Sequence, residues 1–359
     1  MEWHLVGGFL GSGKTTLITR AAKHLIEQGL QVGIVTNDQG ATLVDSAFAQ
    51  SLDMPTVEVT GGCFCCNYTD LENQLLNLRD SISPDIIFAE SVGSCADLVS
   101  TVIKPYQQLS QLEITLNSFS VLTDVRLLRR YLNNQPLPFS DNVVYIFEKQ
   151  IEEANLMMIN KCDLIDKTEA DRILHLAKQR FPEKTILLQS AFEDAKVDTW
   201  LREIRDSDDL TSLPSIHMDY DKYADGEARL AWLNETIVFT VGESKGHAVI
   251  KQFLNDLRHY MKPYPIGHLK VLVANDIQQI KVSLTNNIQD TWKEQIVDLH
   301  GYEVHCTINA RIEASITDVE HVVEEALKNL KQALPSVTYT RTNQEAFHPQ
   351  RPVPTHRLT

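Results

Sequence analysis

Short apolar runs bounded by glycine and polar residues recur through the first half of the chain, separated by stretches whose apolar positions repeat at helical spacing. Leu5-Val6 opens a buried strand, Gly7 to Gly13 is a glycine-rich loop, and Lys14 to Glu27 has the period of a helix that Gly29 ends. Val32 to Thr36, Thr56 to Val59, Ile86 to Ala89, Val143 to Phe147, Leu156 to Ile159 and Thr185 to Gln189 read as further strands. Between them, Asp70 to Asp80, Asp124 to Leu132 and Lys167 to Arg180 read as helices. Near-continuous apolar strands alternating with helices are what a parallel sheet covered on both faces requires, so residues 1–212 are predicted to form a doubly wound α/β domain.

The pattern changes at Pro214. Residues 213–234 combine an acidic, tyrosine-containing stretch, Asp219-Tyr220-Asp221-Lys222-Tyr223, with a helix-like Glu227 to Leu233, and are read as a solvated connection between domains. Residues 235–340 then alternate differently: strands at Thr236 to Val241, Leu269 to Ala274, Gln279 to Leu284 and Glu303 to Ile308, helices at His247 to His259 and Asp318 to Leu330. That order predicts a smaller C-terminal α+β domain of ferredoxin-like type. The tail, 341–359, has three prolines and no period, and is expected to be extended or disordered unless it docks.

Composition narrows the class. No run approaches the roughly 20 apolar residues of a membrane helix, and the N-terminal residues lack the tripartite pattern of a signal peptide, so a cytoplasmic protein without membrane association is expected. A formal net charge of -15 disfavours a phosphate-backbone partner, and nucleic acid is not expected. Six cysteines in such a chain are expected to be reduced thiols, catalytic groups or metal ligands rather than disulfides.

Three motifs carry chemistry. Gly8-Phe9-Leu10-Gly11-Ser12-Gly13-Lys14-Thr15 fits the phosphate-binding loop and stands where that loop must, after a strand and opening a helix. Its glycines, Gly8, Gly11 and Gly13, let backbone N–H groups curl round a phosphate; Ser12 and Thr16 line the same turn, Lys14 bridges β- and γ-phosphates, and Thr15 offers a hydroxyl to Mg2+. Glu90 closes an apolar strand as the acid beside the Mg2+ water shell, and Gly93 offers a backbone N–H to a γ-phosphate, the acid-x-x-Gly pattern of a switch. Asn160-Lys161-Cys162-Asp163 matches the tetrapeptide that selects guanine, with Asp163 accepting from the base and Lys161 lying along its plane. Ser190-Ala191 is a weaker match to the element that touches the guanine oxygen, and Asn37 and Asp38 are assigned to a first switch. Together these predict GTP with Mg2+ as ligands; an ATP-dependent kinase or ATPase is the rival on the same loop.

Gly61-Gly62-Cys63-Phe64-Cys65-Cys66 lies between a strand and a helix. Adjacent thiols seldom bridge each other, whereas soft thiolates in a pliant loop suit Zn2+ or Co2+, with a further ligand completing a tetrahedron. Cys63, Cys65 and Cys66 are the candidate ligands; a redox-sensitive loop is the alternative. Cys95, Cys162 and Cys306 read as packed thiols, and His217, His268, His348 and His356 as weaker ligand candidates.

Taken together, Gly7 to Thr16, the Cys-x-Cys-Cys run at 63–66, Glu90 in place of the usual aspartate, and Asn160 to Asp163 resemble the CobW-like metallochaperone GTPases, relatives of the nickel-inserting GTPases of urease and hydrogenase maturation. The resemblance extends over nearly the whole chain. It implies a P-loop GTPase that carries a metal such as zinc or cobalt on the cysteine loop toward a client metalloprotein or maturation factor, with a smaller C-terminal domain. The chain departs from the family at Asn37-Asp38-Gln39-Gly40-Ala41, where Asn-Glu-Phe-Gly-Glu is common and the second acid is missing. Ser94 stands where fast-stimulated small GTPases carry a glutamine, so slow basal turnover is expected. A nucleotide-gated redox or scaffold protein is the competing function, and a homodimer through the C-terminal strands is left open.

Overall fold

The computed structural model describes residues 1–37, 44, 54–206, 210–241, 246–285, 292–296, 299 and 301–359. Asp38 and Ala41, on which part of the first-switch reading falls, lie outside the described residues. The chain divides into two compact units, one of Met1–Gln39, Leu52–Gly226 and Arg351–Thr359, the other of Gly40–Ser51 and Glu227–Gln350.

The first unit is built on a seven-stranded sheet. In chain order its elements are β1 (Glu2–Gly8), α1 (Lys14–Glu27), β2 (Val32–Asn37), β3 (Thr56–Val59), α2 (Tyr68–Ile82), β4 (Ile86–Glu90) and a π-helical turn (Val99–Ile103) running into α3 (Lys104–Leu109). There follow β5 (Thr115–Asp124), α4 (Val125–Leu132), α5 (Asp141–Glu153), β6 (Leu156–Asn160), α6 (Lys167–Arg180), β7 (Thr185–Leu188), α7 (Asp194–Arg205) and α8 (Tyr220–Ala228). The strand order is β3-β2-β4-β1-β5-β6-β7 and every pairing is parallel. This is the doubly wound arrangement, with β1 between β4 and β5 at the point where the winding reverses, and ligands of such sheets bind outside the carboxyl ends of the strands there. Phe88, Leu122, Met158 and Trp200 lie in the core that α1 and α7 cover on one face.

Two sequence expectations fail here for identifiable reasons. Val143 to Phe147 is not a strand but part of α5: Val143, Ile146, Phe147, Gln150 and Ile151 are buried at helical spacing, so the local apolar run is one face of a longer helix. The strand in that stretch of chain is β5, ten residues that the sequence reading passed over. Asn117, Ser118, Ser120 and Thr123 break its apolar run. The buried serines are tolerated because they are hydrogen-bonded, Ser118 Oγ with His4 Nδ1 at 2.8 Å and Ser120 Oγ accepting from Trp200 Nε1 at 3.0 Å.

The second unit contains β8 (Leu230–Thr240), α9 (Gly246–Met261), β9 (Ile266–Ala274), β10 (Gln279–Leu284), one helical turn at Trp292–Gln295, β11 (Glu303–Glu313), α10 (Ile316–Ala333) and β12 (Thr338–Phe347). Its sheet runs β10-β9-β11-β8-β12, antiparallel throughout. Leaving aside the edge strand β10, the order is that of a ferredoxin-like βαββαβ fold. The helix expected at Glu227 to Leu233 instead belongs to two elements: α8 ends at Ala228 and β8 begins at Leu230. A Ser315–Asp318 capping box starts α10, which with α9 buries Val323, Leu327, Phe253 and Leu257 in the unit's core. Among the described residues no helix is long and apolar enough to cross a membrane.

Candidate functional site

The glycine-rich loop turns between β1 and α1 with Gly8, Gly11 and Gly13 at φ 129°, 71° and 95°, values that L side chains rarely adopt. A Cβ at Gly8 would stand 2.2 Å from Leu122 O, and one at Gly13 2.6 Å from Asn160 Nδ2, so both positions require glycine. Lys14 folds back into the loop and donates to Gly8 O at 2.7 Å. Thr15 Oγ1 donates to Glu90 Oε1 at 2.9 Å, which brings together the two groups assigned to Mg2+. Ser12 Oγ is buried without a hydrogen-bond partner. An orphaned buried hydroxyl, a glycine cradle at a helix N-terminus and an inward-folded lysine fit an anionic phosphate chain.

The guanine-reading tetrapeptide is tied directly to this loop. Asn160, the last residue of β6, donates from Nδ2 to Ser12 O at 2.7 Å, and Lys161, held in the left-handed conformation at φ 63°, donates from Nζ to Gly11 O at 2.5 Å. Asp163 is exposed in the short turn that follows. Ser190 and Ala191 are buried in the loop after β7, and Gln189 O accepts from Cys162 N at 3.1 Å, so the two base-side elements share a backbone contact. Sequence reasoning missed Asp124, the last residue of β5. Its carboxylate takes Arg126 Nη2 at 2.6 Å and Lys161 Nζ at 3.2 Å and caps α4 by accepting from Arg126 N. Burial alone would push this carboxyl up, but the Lys161 ammonium and the Arg126 guanidinium outweigh it and hold it well below the usual carboxylate range.

Beyond β4, Gly93 approaches the phosphate loop so closely that a Cβ there would meet Leu10 Cδ2 at 2.7 Å and Leu10 Cα at 3.0 Å. A second residue invisible to motif reading, Gln150 of α5, clamps this segment by donating from Nε2 to Gly93 O at 3.1 Å and Cys95 O at 2.8 Å.

The cysteine loop follows β3. Cys63 Sγ lies 2.8 Å from Cys65 Sγ and 3.4 Å from Cys66 Sγ, and Cys65 Sγ and Cys66 Sγ are 3.7 Å apart. Cys63 and Cys65 are buried, and Cys66 is half-buried. Hydrogen bonds from Cys65, Cys66 and Cys95 hold the Cys63 thiol well below its usual range, whereas Cys65 is pushed up as the donor and Cys66 is pushed up to about 11. Such a set, one sulfur poised to ionise among converging thiols, suits a thiophilic cation. Among the described residues this is the one group of three metal-ligating side chains within 4.8 Å of one another, and none of His217, His268, His348 and His356 belongs to it.

Asn37, placed by the sequence in the first switch, braces this loop: Nδ2 donates to Val59 O and Gly62 O at 3.0 and 2.7 Å, and Oδ1 accepts from Phe64 N at 3.0 Å. The tail also reaches it. Thr355 N donates to Cys65 O and Thr355 Oγ1 to Cys66 O, both at 2.8 Å, and the His356 ring packs edge-on against Tyr68. Arg357 Nε then donates to Asp97 Oδ2 at 2.8 Å and Leu358 N to Ser100 O at 2.9 Å. Residues 351–359 thus run from the cysteine loop to the segment just past Gly93.

The nucleotide-binding domain described as CobW/HypB/UreG matches residues 2–188, just over half of the chain. Over 246 residues the chain is 24% identical to the zinc-regulated GTPase metalloprotein activator 1 of Dictyostelium discoideum, an alignment covering 56% of this chain and 51% of that protein. Over 209 residues it is 24% identical to the zinc chaperone CobW of a Sinorhizobium species, covering 52% and 58% respectively. The chain therefore spans about half the length of these relatives. The hydrogenase maturation factor HypB of Archaeoglobus fulgidus superposes with a TM-score of 0.39 at 19% identity, over 57% of this chain and 89% of that one.

Proposed function

The chain belongs to the CobW/HypB/UreG family, and from that premise we propose that it is a GTP-hydrolysing metallochaperone that carries a thiophilic metal, Zn2+ or Co2+, on Cys63, Cys65 and Cys66 and passes it to a client protein. The observation that carries this reading is the placement of the three thiols: they are braced by Asn37 at the end of β2 and sit in the same C-terminal edge of the sheet as the phosphate loop and Gly93. The naming of relatives as zinc chaperones supports zinc as the metal.

In this reading Gly8, Gly11, Ser12, Gly13, Lys14, Thr15 and Thr16 hold the phosphates, with Lys14 and the loop amides stabilising the transferring phosphoryl group. Mg2+, held by Thr15 and Glu90, would neutralise charge on the β- and γ-phosphates. Asn160 and Lys161 fix the base side, Asp163 selects guanine because adenine leaves its carboxylate without the matching donors, and Ser190-Ala191 borders the same pocket. Gly93 senses the γ-phosphate. Since Gln150 already engages the carbonyl of Gly93 and Ser94 carries no side-chain amide to orient water, slow basal turnover is expected.

The test is Zn2+ and Co2+ affinity by chelator competition on reduced protein, loaded once with GDP and once with a non-hydrolysable GTP analogue and Mg2+. A tenfold difference, about 1.4 kcal/mol of coupling, is expected, and linkage then requires metal to shift nucleotide preference equally. Equal affinities, or no metal bound, would transfer the case to a nucleotide-gated redox or scaffold protein using the same thiols.

A further inference from the structure

Gln150 is 2% exposed on α5, and both bonds from its Nε2 go to backbone carbonyls of one turn, Gly93 O at 3.1 Å and Cys95 O at 2.8 Å. A single side chain meets two carbonyls without burying a charge only through an amide NH2, which carries two donors. The Oε1 atom of the same amide is buried without a hydrogen-bond partner. An apolar side chain of that size would fill the space and strand no acceptor, so packing alone does not account for glutamine here. The far end of the segment has other anchors: Ala96 N donates to Tyr223 OH at 3.2 Å, and Val99 N donates at 3.2 Å to Oε2 of Glu153, one turn on from Gln150. At the near end Gly93 lies against the phosphate loop, where a Cβ would meet Leu10 Cδ2 at 2.7 Å. Gly93 is therefore fixed from two sides, by Leu10 and by Gln150.

We propose that Gln150 is a positioning residue for γ-phosphate recognition: it holds the Gly93 turn in place before nucleotide arrives, so that a triphosphate meets a backbone N–H already ordered and a diphosphate gains nothing from it. This deepens the reading above and rests on it. Gln150 touches no part of the nucleotide and acts through Gly93. A hydrogen bond to a phosphate oxygen is charge-assisted, and it contributes most to affinity when its donor needs no ordering at the moment of binding. Without the two carbonyl bonds the triphosphate itself must order the turn, and that cost falls on GTP and not on GDP. Discrimination between the two nucleotides then depends on a residue of α5 that no nucleotide motif contains.

The experiment measures the Kd of full-length protein with Mg2+ for fluorescently labelled GDP and for a labelled non-hydrolysable GTP analogue. Gln150→Met keeps length and bulk and removes both donors. Its affinity for the analogue should fall roughly fivefold, the worth of about one neutral hydrogen bond, while its affinity for GDP stays within about twofold. Tyr223→Phe cuts the anchor at Ala96 and keeps the ring, so it loosens the segment without freeing Gly93, and its ratio of the two affinities should match that of the unmutated protein. Equal weakening of both nucleotides in Gln150→Met, no weakening of either, or the same change of ratio in Tyr223→Phe would overturn the assignment and leave GTP binding standing. If Gln150→Met does not fold, hydrogen exchange of the unmutated protein decides. The amides of Cys95 and Ala96 should exchange slowly already with GDP bound, and exchange that slows only with the analogue would overturn the proposal. Failure of the unmutated protein to bind either guanine nucleotide would remove the proposal together with the reading it rests on.

Discussion

Asp124→Asn isolates one charge in the link between the base-reading turn and the phosphate loop. Asparagine caps a helix as well as aspartate does, so the acceptor for Arg126 N is retained, while the negative charge is lost and the oxygen facing Arg126 Nη2 and Lys161 Nζ becomes an amide NH2. What remains is Arg126 and Lys161 converging on a neutral amide, with side chains only 12% and 24% exposed. Removing one partner of a fully buried ion pair costs roughly 3–5 kcal/mol, and because Lys161 keeps some water and its bond to Gly11 O, about 2–3 kcal/mol is expected here. Urea denaturation of nucleotide-free protein measures it. The folded carboxyl lies below its unfolded value, so its contribution is complete above the unfolded value of about 3.9 and is lost as pH falls toward the folded one. The difference between Asp124→Asn and the unmutated protein should therefore be flat from about pH 5 to pH 9 and shrink only in acid. GDP affinity should fall as well, since Lys161 is released from its fixed path along Gly11. A stability loss under about 0.5 kcal/mol, the range of ordinary surface changes, or one that varies between about pH 6 and pH 8, would refute the reasoning.

The remaining predictions concern the segment past Gly93 and the tail that grips it. Glu153 is fully buried, and burial pushes its carboxyl well up, with the nearby Asp97 adding to the shift against the hydrogen bond from Val99 N. Its folded value being raised, its stabilising contribution is complete below the unfolded value and declines as pH rises toward the folded one, so Glu153→Gln should gain stability relative to the unmutated protein as pH rises from about 5 to 8; parallel denaturation profiles would contradict this. Thr355→Val removes an exposed hydroxyl bond to Cys66 O, worth about 0.5–1 kcal/mol, and Arg357→Ala a charged bond to Asp97, worth about 1.5–3 kcal/mol. The paired variant should raise amide exchange at residues 63–68 several-fold in hydrogen-exchange mass spectrometry while exchange in β6 is unchanged, and equal protection of the cysteine loop in both proteins would show that the tail does not hold it.

The strands that bring the phosphate loop, Glu90 and Asn160 together were legible because each is a short apolar run ended by a chemically distinctive residue, and Lys167–Arg180 and Gln279–Leu284 have the bounds their spacing predicts. β5 was not legible, because its buried polar residues are tolerated only through partners such as His4 and Trp200, 114 and 80 positions away. The same cause hid Asp124, Gln150 and Thr355: none belongs to a local motif, and each acquires a role only once the topology supplies its partner.

That topology also explains why the partners meet. β3, β2 and β4 are neighbours in the sheet and all run parallel, so their carboxyl ends open on one edge. Asn37 ends β2, the cysteine loop leaves β3, and Glu90 with the Gly93–Cys95 segment leaves β4. Adjacent strands lie about 4.8 Å apart, which places the three loops within side-chain reach without any of them being close in sequence. Asn37, the last residue of β2, the strand between them, already bonds the cysteine loop. The sheet edge thus gathers the phosphate loop, the segment at Gly93 and the cysteine loop at the ends of adjacent strands, although their residues are far apart in the chain.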